Sequence, residues 1–327
     1  MNQNAWMGDH FKDGRFFNPG VSPPGFFQLL KWITRREAGP WTTSCRSLVA
    51  PPPPAHVHGS DLRITFVNHS TVLIQTGGCN ILTDPMWSER ASPVSFLGPK
   101  RHRQPGIAFA DLPSIDSVLI SHNHYDHFDA PTLRRLLDVH RPAIFCPLGV
   151  ARLLRKIGFP KVYELDWWQS EALGNMRVHC VPAQHFASRT PFDRNRSLWC
   201  GWMLEAAEGN IFFAGDTGFG DHFEAIRDKF EPIRLALLPI GAFRPEWFMG
   251  PIHMTPEQAV EAHVILRAGT TIAIHFGTFP LADDGQSEPT ARLTSFLRDI
   301  DPPGRILVLD EGEGLGISSV GMIDGTA

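Results

Sequence analysis

The sequence predicts an α/β fold in which two β-sheets pack face to face with helices on the outside. Three observations carry the expectation. Short apolar and β-branched runs lead in both halves of the chain. Segments of helical spacing come between them. Histidines and aspartates recur just after the apolar runs. Two layers of sheet covered by helices is an arrangement that buries such elements.

Residues 1–60 read as an irregular N-terminal arm packed on or near the core, and residues 61–327 as one domain. The arm carries Phe16-Phe17, Phe26-Phe27 and the run Pro51 to Pro54. Consecutive prolines fix φ and disfavour helix, so that run is extended. One short helix is expected over 24–36. Its Phe26, Phe27, Leu30, Trp32 and Ile33, followed by Arg35-Arg36, are an amphipathic element suited either to packing on the body or to touching lipid.

The domain opens with strand patterns over 63–67 and 71–75, a hairpin, and another over 80–83 after Gly77-Gly78. A buried-type strand follows at 117–121. Residues 131–140 have helical spacing, with Leu133, Leu136 and Leu137 on one face. A strand at 143–146 and a helix at 150–157 complete the first half. The second half has strand patterns over 177–181, 198–205, 211–214, 235–240, 271–275 and 305–309. Helices are expected over 221–230 and 256–268, the latter with Thr255 as N-cap and Glu257-Gln258 in its first turn.

Bulk properties narrow the function. The 43% hydrophobic content suffices for a core, and a net charge of −4 speaks against a phosphate-backbone binder. The five cysteines are odd in number and form no CxxC, which fits a reducing compartment. The N-terminus lacks the apolar core of a secretory signal, and no apolar run approaches the roughly 18–20 residues of a membrane span. A cytoplasmic protein, peripheral at most on the inner membrane surface, is expected. The 15 histidines direct attention to metal chemistry.

The decisive segment is Ser121-His122-Asn123-His124-Tyr125-Asp126-His127. His122 and His124 are two apart, so at the end of an extended segment both point the same way. Asp126 and His127 lie where the chain turns into a helix. One loop thus offers two imidazoles to one metal and a carboxylate and an imidazole to a second. His185, Asp216 and His275 each lie at or just beyond a strand pattern, where open α/β sheets place their sites. The simplest assignment puts His122, His124 and His185 on metal one and Asp126, His127 and His275 on metal two, with Asp216 bridging. Imidazole and carboxylate suit zinc, and also iron, manganese or cobalt.

HxHxDH, then His, then Gly-Asp, then His, in this order, resembles the metallo-β-lactamase superfamily. The similarity extends to the N-acylphosphatidylethanolamine-hydrolysing phospholipase D family and its bacterial relatives. It rests on Gly14-Arg15-Phe16, Asn18-Pro19, Ile81 to Pro85, Ser88 to Pro93, Gly98 to Arg101, Pro182 to His185, Arg189-Thr190, Phe213 to Thr217, Pro239 to Ala242, Trp247 to Met249, His253 and His275 to Phe279. The resemblance implies an αββα sandwich of two mixed sheets, zinc at both positions, phosphodiester hydrolysis and a homodimer. At Asn68-His69-Ser70 relatives often have Gly-His-Ala; His69 is retained, as a residue beside the ligands.

Charge favours an anionic substrate. Two divalent ions less Asp126, Asp216 and a hydroxide leave about +1, which attracts a phosphodiester. Asp126 orients the nucleophile or takes its proton. His253 is the candidate for a phosphate contact or general acid. Asp84 is expected on the outer nitrogen of a ligand histidine. Lys100, Arg101 and Arg103 form a basic cluster suited to a headgroup phosphate. The residues leave open another phosphodiester, a sugar phosphate or a lactone as substrate, and a non-enzymatic, metal-stabilised regulatory protein.

Overall fold

The computed structural model describes residues 6, 9–22, 24–42 and 50–317. In chain order, a small hairpin comes first, β1 (Phe11–Lys12) and β2 (Arg15–Phe16), then helix α1 (Phe26–Thr34). The first half continues with β3 (Leu62–Asn68), β4 (Thr71–Thr76), β5 (Cys79–Thr83), β6 (Ser117–Leu119), α2 (Ala130–Val139), β7 (Ala143–Pro147), α3 (Ala151–Ile157) and β8 (Val162–Leu165). The second half holds β9 (Ser170–Leu173), β10 (Met176–Val181), β11 (Gly201–Glu205), β12 (Asn210–Phe213), α4 (His222–Phe230), β13 (Ile233–Pro239), α5 (Glu246–Met249), α6 (Pro256–Leu266), β14 (Thr270–Ile274), α7 (Glu288–Asp299), β15 (Arg305–Leu307) and β16 (Gly314–Ile317).

Two seven-stranded mixed sheets result. One has the order β16-β3-β4-β5-β6-β7-β8 and the other β15-β14-β13-β12-β11-β10-β9. The chain therefore has the α/β sandwich that the strand and helix patterns predict. The centre of strand β4 shows why a run such as Val72-Leu73-Ile74 is apolar without a break. Val72 and Ile74 enter the core between the sheets, while Leu73 faces the outer layer with Leu133 and Leu136 of α2 and Leu154 of α3. Both faces of the strand are dry there, so Val72-Leu73-Ile74 shows no polar alternation. Each such side chain, fully buried, contributes about 1.5–3 kcal/mol.

The helix at 256 starts as its sequence suggests. The Thr255 side chain accepts from Gln258 N, and Gln258 returns a bond to the Thr255 backbone. Other elements differ. The run at 198–205 joins the ladder only from Gly201, because Leu198 to Cys200 crosses toward the other sheet, where Cys200 N donates to Ser121 O at 3.0 Å. The strands β8, β9 and β16 and helix α7 lack an expectation. β8, β9 and β16 are short and partly exposed, and β16 reads Gly-Leu-Gly-Ile, so periodicity is faint.

Strands β3, β5 and β6 run the same way in one sheet, β10, β12, β13 and β14 run the same way in the other, and the segments that follow their C-terminal ends meet at one edge of the sandwich. That edge is where the chemistry collects. Among the described residues no helix is long and apolar enough to cross a membrane.

Candidate metal centre

Six strand ends deliver the site. His69 follows β3, Asp84 follows β5, His122 to His127 follow β6, His185 follows β10, Asp216 follows β12 and His275 follows β14. The backbone is bent to do so. His69, Asp84, Ala242 and His275 all have positive φ, at 48°, 32°, 58° and 59°. Non-glycine residues held there cost about 1–3 kcal/mol each and cluster at functional sites. Two glycines permit close approach. A Cβ on Gly215, at φ +61°, would sit 2.7 Å from Ser121 Cβ, and one on Gly241 would sit 2.1 Å from His275 O.

The seven residues of the expected ligand set converge. His122 Nε2 lies 2.8 Å from His124 Nδ1, which is 3.3 Å from His185 Nε2. His127 Nε2 lies 3.2 Å from Asp126 Oδ2 and 3.2 Å from Asp216 Oδ2. His275 Nε2 is 3.1 Å from Asp216 Oδ2 and 3.6 Å from Asp126 Oδ2. His185 Nε2 approaches Asp216 Oδ2 to 3.8 Å, so that carboxylate stands between the two groups. Donor atoms lie within 4.8 Å of one another in the sets His122–His124–His185 and His69–Asp126–His127–His275, and also in His185–Asp216–His253.

Electrostatics match this geometry. Burial works to raise the Asp126 and Asp216 carboxyls, but the neighbouring imidazoles, His127 foremost, hold both well below the usual range. Burial lowers His127 and His275 too, and here the carboxylates win. Asp216, Asp126 and Asp84 push His127 well up, and Asp216 and Asp126 carry His275 to about 9. Burial keeps His122 and His185 well below their ordinary value and takes His124 and His253 to about 4, so these rings are neutral and their lone pairs free. Two buried carboxylates thus demand positive charge between them, a demand cations satisfy.

Outer nitrogens are held in turn. Asp84 Oδ2 accepts from His127 Nδ1 at 2.7 Å and from Ser121 Oγ at 2.5 Å, and Asp84 Oδ1 accepts from Ser121 N at 2.7 Å. Ser121 Oγ is 2.9 Å from His122 Nδ1. His185 Nδ1 donates to Ile252 O at 2.9 Å. His69 Nε2 is 3.0 Å from Asp126 Oδ2.

Three groups have no role in the sequence reading, although two of them, Asn18 and Arg189, lie in segments that carry the family resemblance. Asn18, from the arm, brackets His185: its Nδ2 donates to His185 O and its Oδ1 accepts from His185 N. Arg189 lies over the Tyr125 ring at 3.9 Å and donates to Asn123 O and Phe128 O, clamping the HxHxDH loop. Arg194 lines the cavity above the site and lies 4.6 Å from the Phe186 ring centre. No spacing in the sequence signals the contacts they make.

The basic cluster does not form. Arg101 is 1% exposed and donates to Ser88 O, Met86 O and Arg103 O. Arg103 pairs with Glu311 at 3.1 Å, and Lys100 is exposed. Neither arginine faces the cavity; the loop carbonyls and Glu311 claim them. Arg194 is the cation at the cavity instead.

That cavity, of about 720 Å³, opens on His124, Asp126, His185, Asp216 and His253. Its walls include Leu29, Trp32, Phe186, Phe248, Met249 and Leu281. Trp32 stacks on Phe248 at 5.0 Å and donates to Asp283, so α1 docks by Leu29 and Trp32. Its other face leaves Phe26 and Phe27 72% and 84% exposed. The helix therefore packs on one side and leaves apolar side chains exposed on the other.

Comparisons with known proteins agree with the geometry. The family described as "Beta-lactamase superfamily domain" matches residues 79–276. An N-acyl-phosphatidylethanolamine-hydrolyzing phospholipase D 1 of Caenorhabditis elegans is 36% identical over 84% of this chain and 82% of its own. A mitochondrial N-acyl-phosphatidylethanolamine-hydrolyzing phospholipase D of Saccharomyces cerevisiae is 34% identical over 70% of this chain and 50% of its own. Among solved structures, an isothiocyanate hydrolase from Delia radicum gut bacteria superposes with a TM-score of 0.62 at 22% identity. It covers 79% of this chain and 99% of its own, a likeness of fold.

Proposed function

We propose, from the premise that this chain belongs to the β-lactamase superfamily domain family and is a metal-dependent hydrolase of that fold, that it is a phospholipase D-type phosphodiesterase. Its substrate in this reading is N-acylphosphatidylethanolamine, split into N-acylethanolamine and phosphatidic acid. The worm and yeast relatives carry that activity in their names. In this chain the cavity supports the reading best, because apolar walls run down to a cluster of imidazoles and carboxylates. A substrate apolar along most of its length and anionic at the reacting bond fits that division.

His122, His124 and His185 would hold one divalent ion and Asp126, His127 and His275 the other, with Asp216 shared. The fit has independent support: His127 Nε2, His275 Nε2 and Asp216 Oδ1 are buried without a hydrogen-bond partner. Imidazole and carboxylate suit zinc, iron or manganese. Two such ions, when bound, supply Lewis acidity and a nucleophilic water at neutral pH. Asp126, held ionised, orients that water and takes its proton. His253 lines the cavity with Nδ1 unpartnered. Its pKa of about 4 favours the phosphate contact, as a neutral hydrogen-bond donor, over a general acid. Arg194 supplies a fixed cation for the phosphate.

Phe26, which lines the cavity, is exposed, as are Phe27, Leu30 and Ile33 of the same helix and Phe192 next to the cavity-lining Pro191; Lys31 and Arg35 lie close in sequence. This surface suits peripheral contact with an anionic leaflet on the cytoplasmic side. Zinc-loaded protein mixed with N-acylphosphatidylethanolamine should release N-acylethanolamine and phosphatidic acid by mass spectrometry, and Asp126→Asn should abolish it. No turnover by a protein holding two metals would replace this substrate with another phosphodiester or a lactone.

A further inference from the structure

Every proposed ligand imidazole whose outer nitrogen has a partner is oriented by that partner, but His275 is not among them. Its Nδ1 is buried and unpartnered, and so are His69 Nδ1 and Asp284 Oδ1. All three residues line one small cavity of about 10 Å³, together with Trp41, Ala242 and Gly277. Orphaned buried polar atoms are uncommon and costly to leave unpaired. Three around one cavity call for a shared explanation. A space of ~10–15 Å³ is what one water needs, given two to four polar partners.

We propose that this cavity binds a structural water through which Asp284 positions His275, and with it the second metal. The proposal rests on the reading of His275 as a ligand. Donors and acceptors close without remainder. His275 Nε2 faces the Asp216 and Asp126 carboxylates, so a ring offering that lone pair to a metal carries its proton on Nδ1. His69 Nε2 faces Asp126 Oδ2 at 3.0 Å, so its proton sits on Nε2 and Nδ1 accepts. The water accepts from His275 Nδ1–H and donates to His69 Nδ1 and to Asp284 Oδ1. Asp284 is 5% exposed; its Oδ2 accepts from Ala242 N at 3.2 Å, which leaves Oδ1 for the cavity, and its main-chain carbonyl accepts from Trp41 Nε1. Chain connection reinforces the unit, since His275 N donates to His69 O at 2.8 Å. Asp284 is thus a positioning residue, doing for His275 by way of water what Asp84 does for His127 directly.

The isosteric variant Asp284→Asn tests this. Ala242 N–H retains the amide oxygen, so the amide NH2 faces the water and turns an acceptor into a donor. Zinc affinity is measured by competition with a chromogenic chelator, beside His275→Ala, which identifies the metal His275 holds. Nitrogen-15 NMR of the zinc-loaded protein reads the ring tautomers. The expected result is a 10–100-fold weakening of that same metal, with the wild-type His69 ring protonated on Nε2 and the His275 Nδ1 proton slow to exchange and shifted in Asp284→Asn. Wild-type affinity and unshifted His275 signals in Asp284→Asn, while His275→Ala loses a metal, would overturn the water bridge alone. Two metals retained at wild-type affinity in His275→Ala would overturn the ligand reading beneath it.

Discussion

Replacing Asp84 by Asn changes one atom at the base of the site and should weaken both metals. The side chain is fully buried and accepts three hydrogen bonds, from Ser121 N, Ser121 Oγ and His127 Nδ1. An Asn oxygen can keep one side of this arrangement; the amide NH2 must meet a donor on the other. If Ser121 N–H keeps the oxygen, His127 Nδ1–H faces NH2, and the ring escapes by moving its proton to Nε2. That nitrogen points at Asp126 and Asp216, where a metal would bind. The loss is one charge-assisted hydrogen bond, about 1.5–3 kcal/mol, which corresponds to roughly 10–100-fold in affinity. The effect reaches the first metal group through Ser121 Oγ, which touches His122 Nδ1. Ser121→Ala should therefore weaken the metal on His122 alone. Zinc titration against a chromogenic chelator resolves the two steps, and circular dichroism checks the fold. Asp84→Asn protein that binds two zinc ions with wild-type affinity would refute the reasoning.

His253→Ala should leave two metals bound and lower kcat by roughly 10²–10³-fold, the loss of one hydrogen-bond donor at the reacting group; zinc content with turnover measures both, and unchanged turnover removes the role. Arg194→Ala should raise KM for an anionic phosphodiester more than for a neutral ester. Equal effects on both would assign Arg194 to packing on Phe186. Serine at Phe26, Phe27, Leu30 and Ile33 together should abolish sedimentation with anionic vesicles while sparing turnover of a short-chain soluble substrate. His222 is fully buried, and burial lowers it to about 3. The unfolded chain protonates below the ordinary 6.5 and the folded one does not, so stability present above 6.5 is lost as pH falls toward 3. This amounts to about 2 kcal/mol between pH 7 and pH 5. Urea titrations of wild type and His222→Gln should differ in that slope, and equal slopes would exclude His222.

The sequence by itself determined what short-range spacing can encode. The two-sheet architecture was legible because β4, β7 and β14 are built on short apolar and β-branched runs (Val72-Leu73-Ile74, Ala143 to Cys146, Thr270 to Ile274) whose length and flanking turns admit little else. HxHxDH was legible because an extended segment with period two aims His122 and His124 together, and His185, Asp216 and His275 stood out as strand-end residues of the same chemical type. Only the tertiary structure decided the partners that arrive from elsewhere. Asn18 meets His185 across 167 positions, and Arg101, part of a basic run on paper, is drawn inside by three backbone carbonyls. Arg194 replaces it as the cation at the cavity, and Asp284 comes to share a small cavity with His69 and His275. The reason is physical. A ligand motif is local backbone geometry, whereas the direction of a charged side chain is set by which unpaired carbonyl, carboxylate or cavity the finished fold places within its reach.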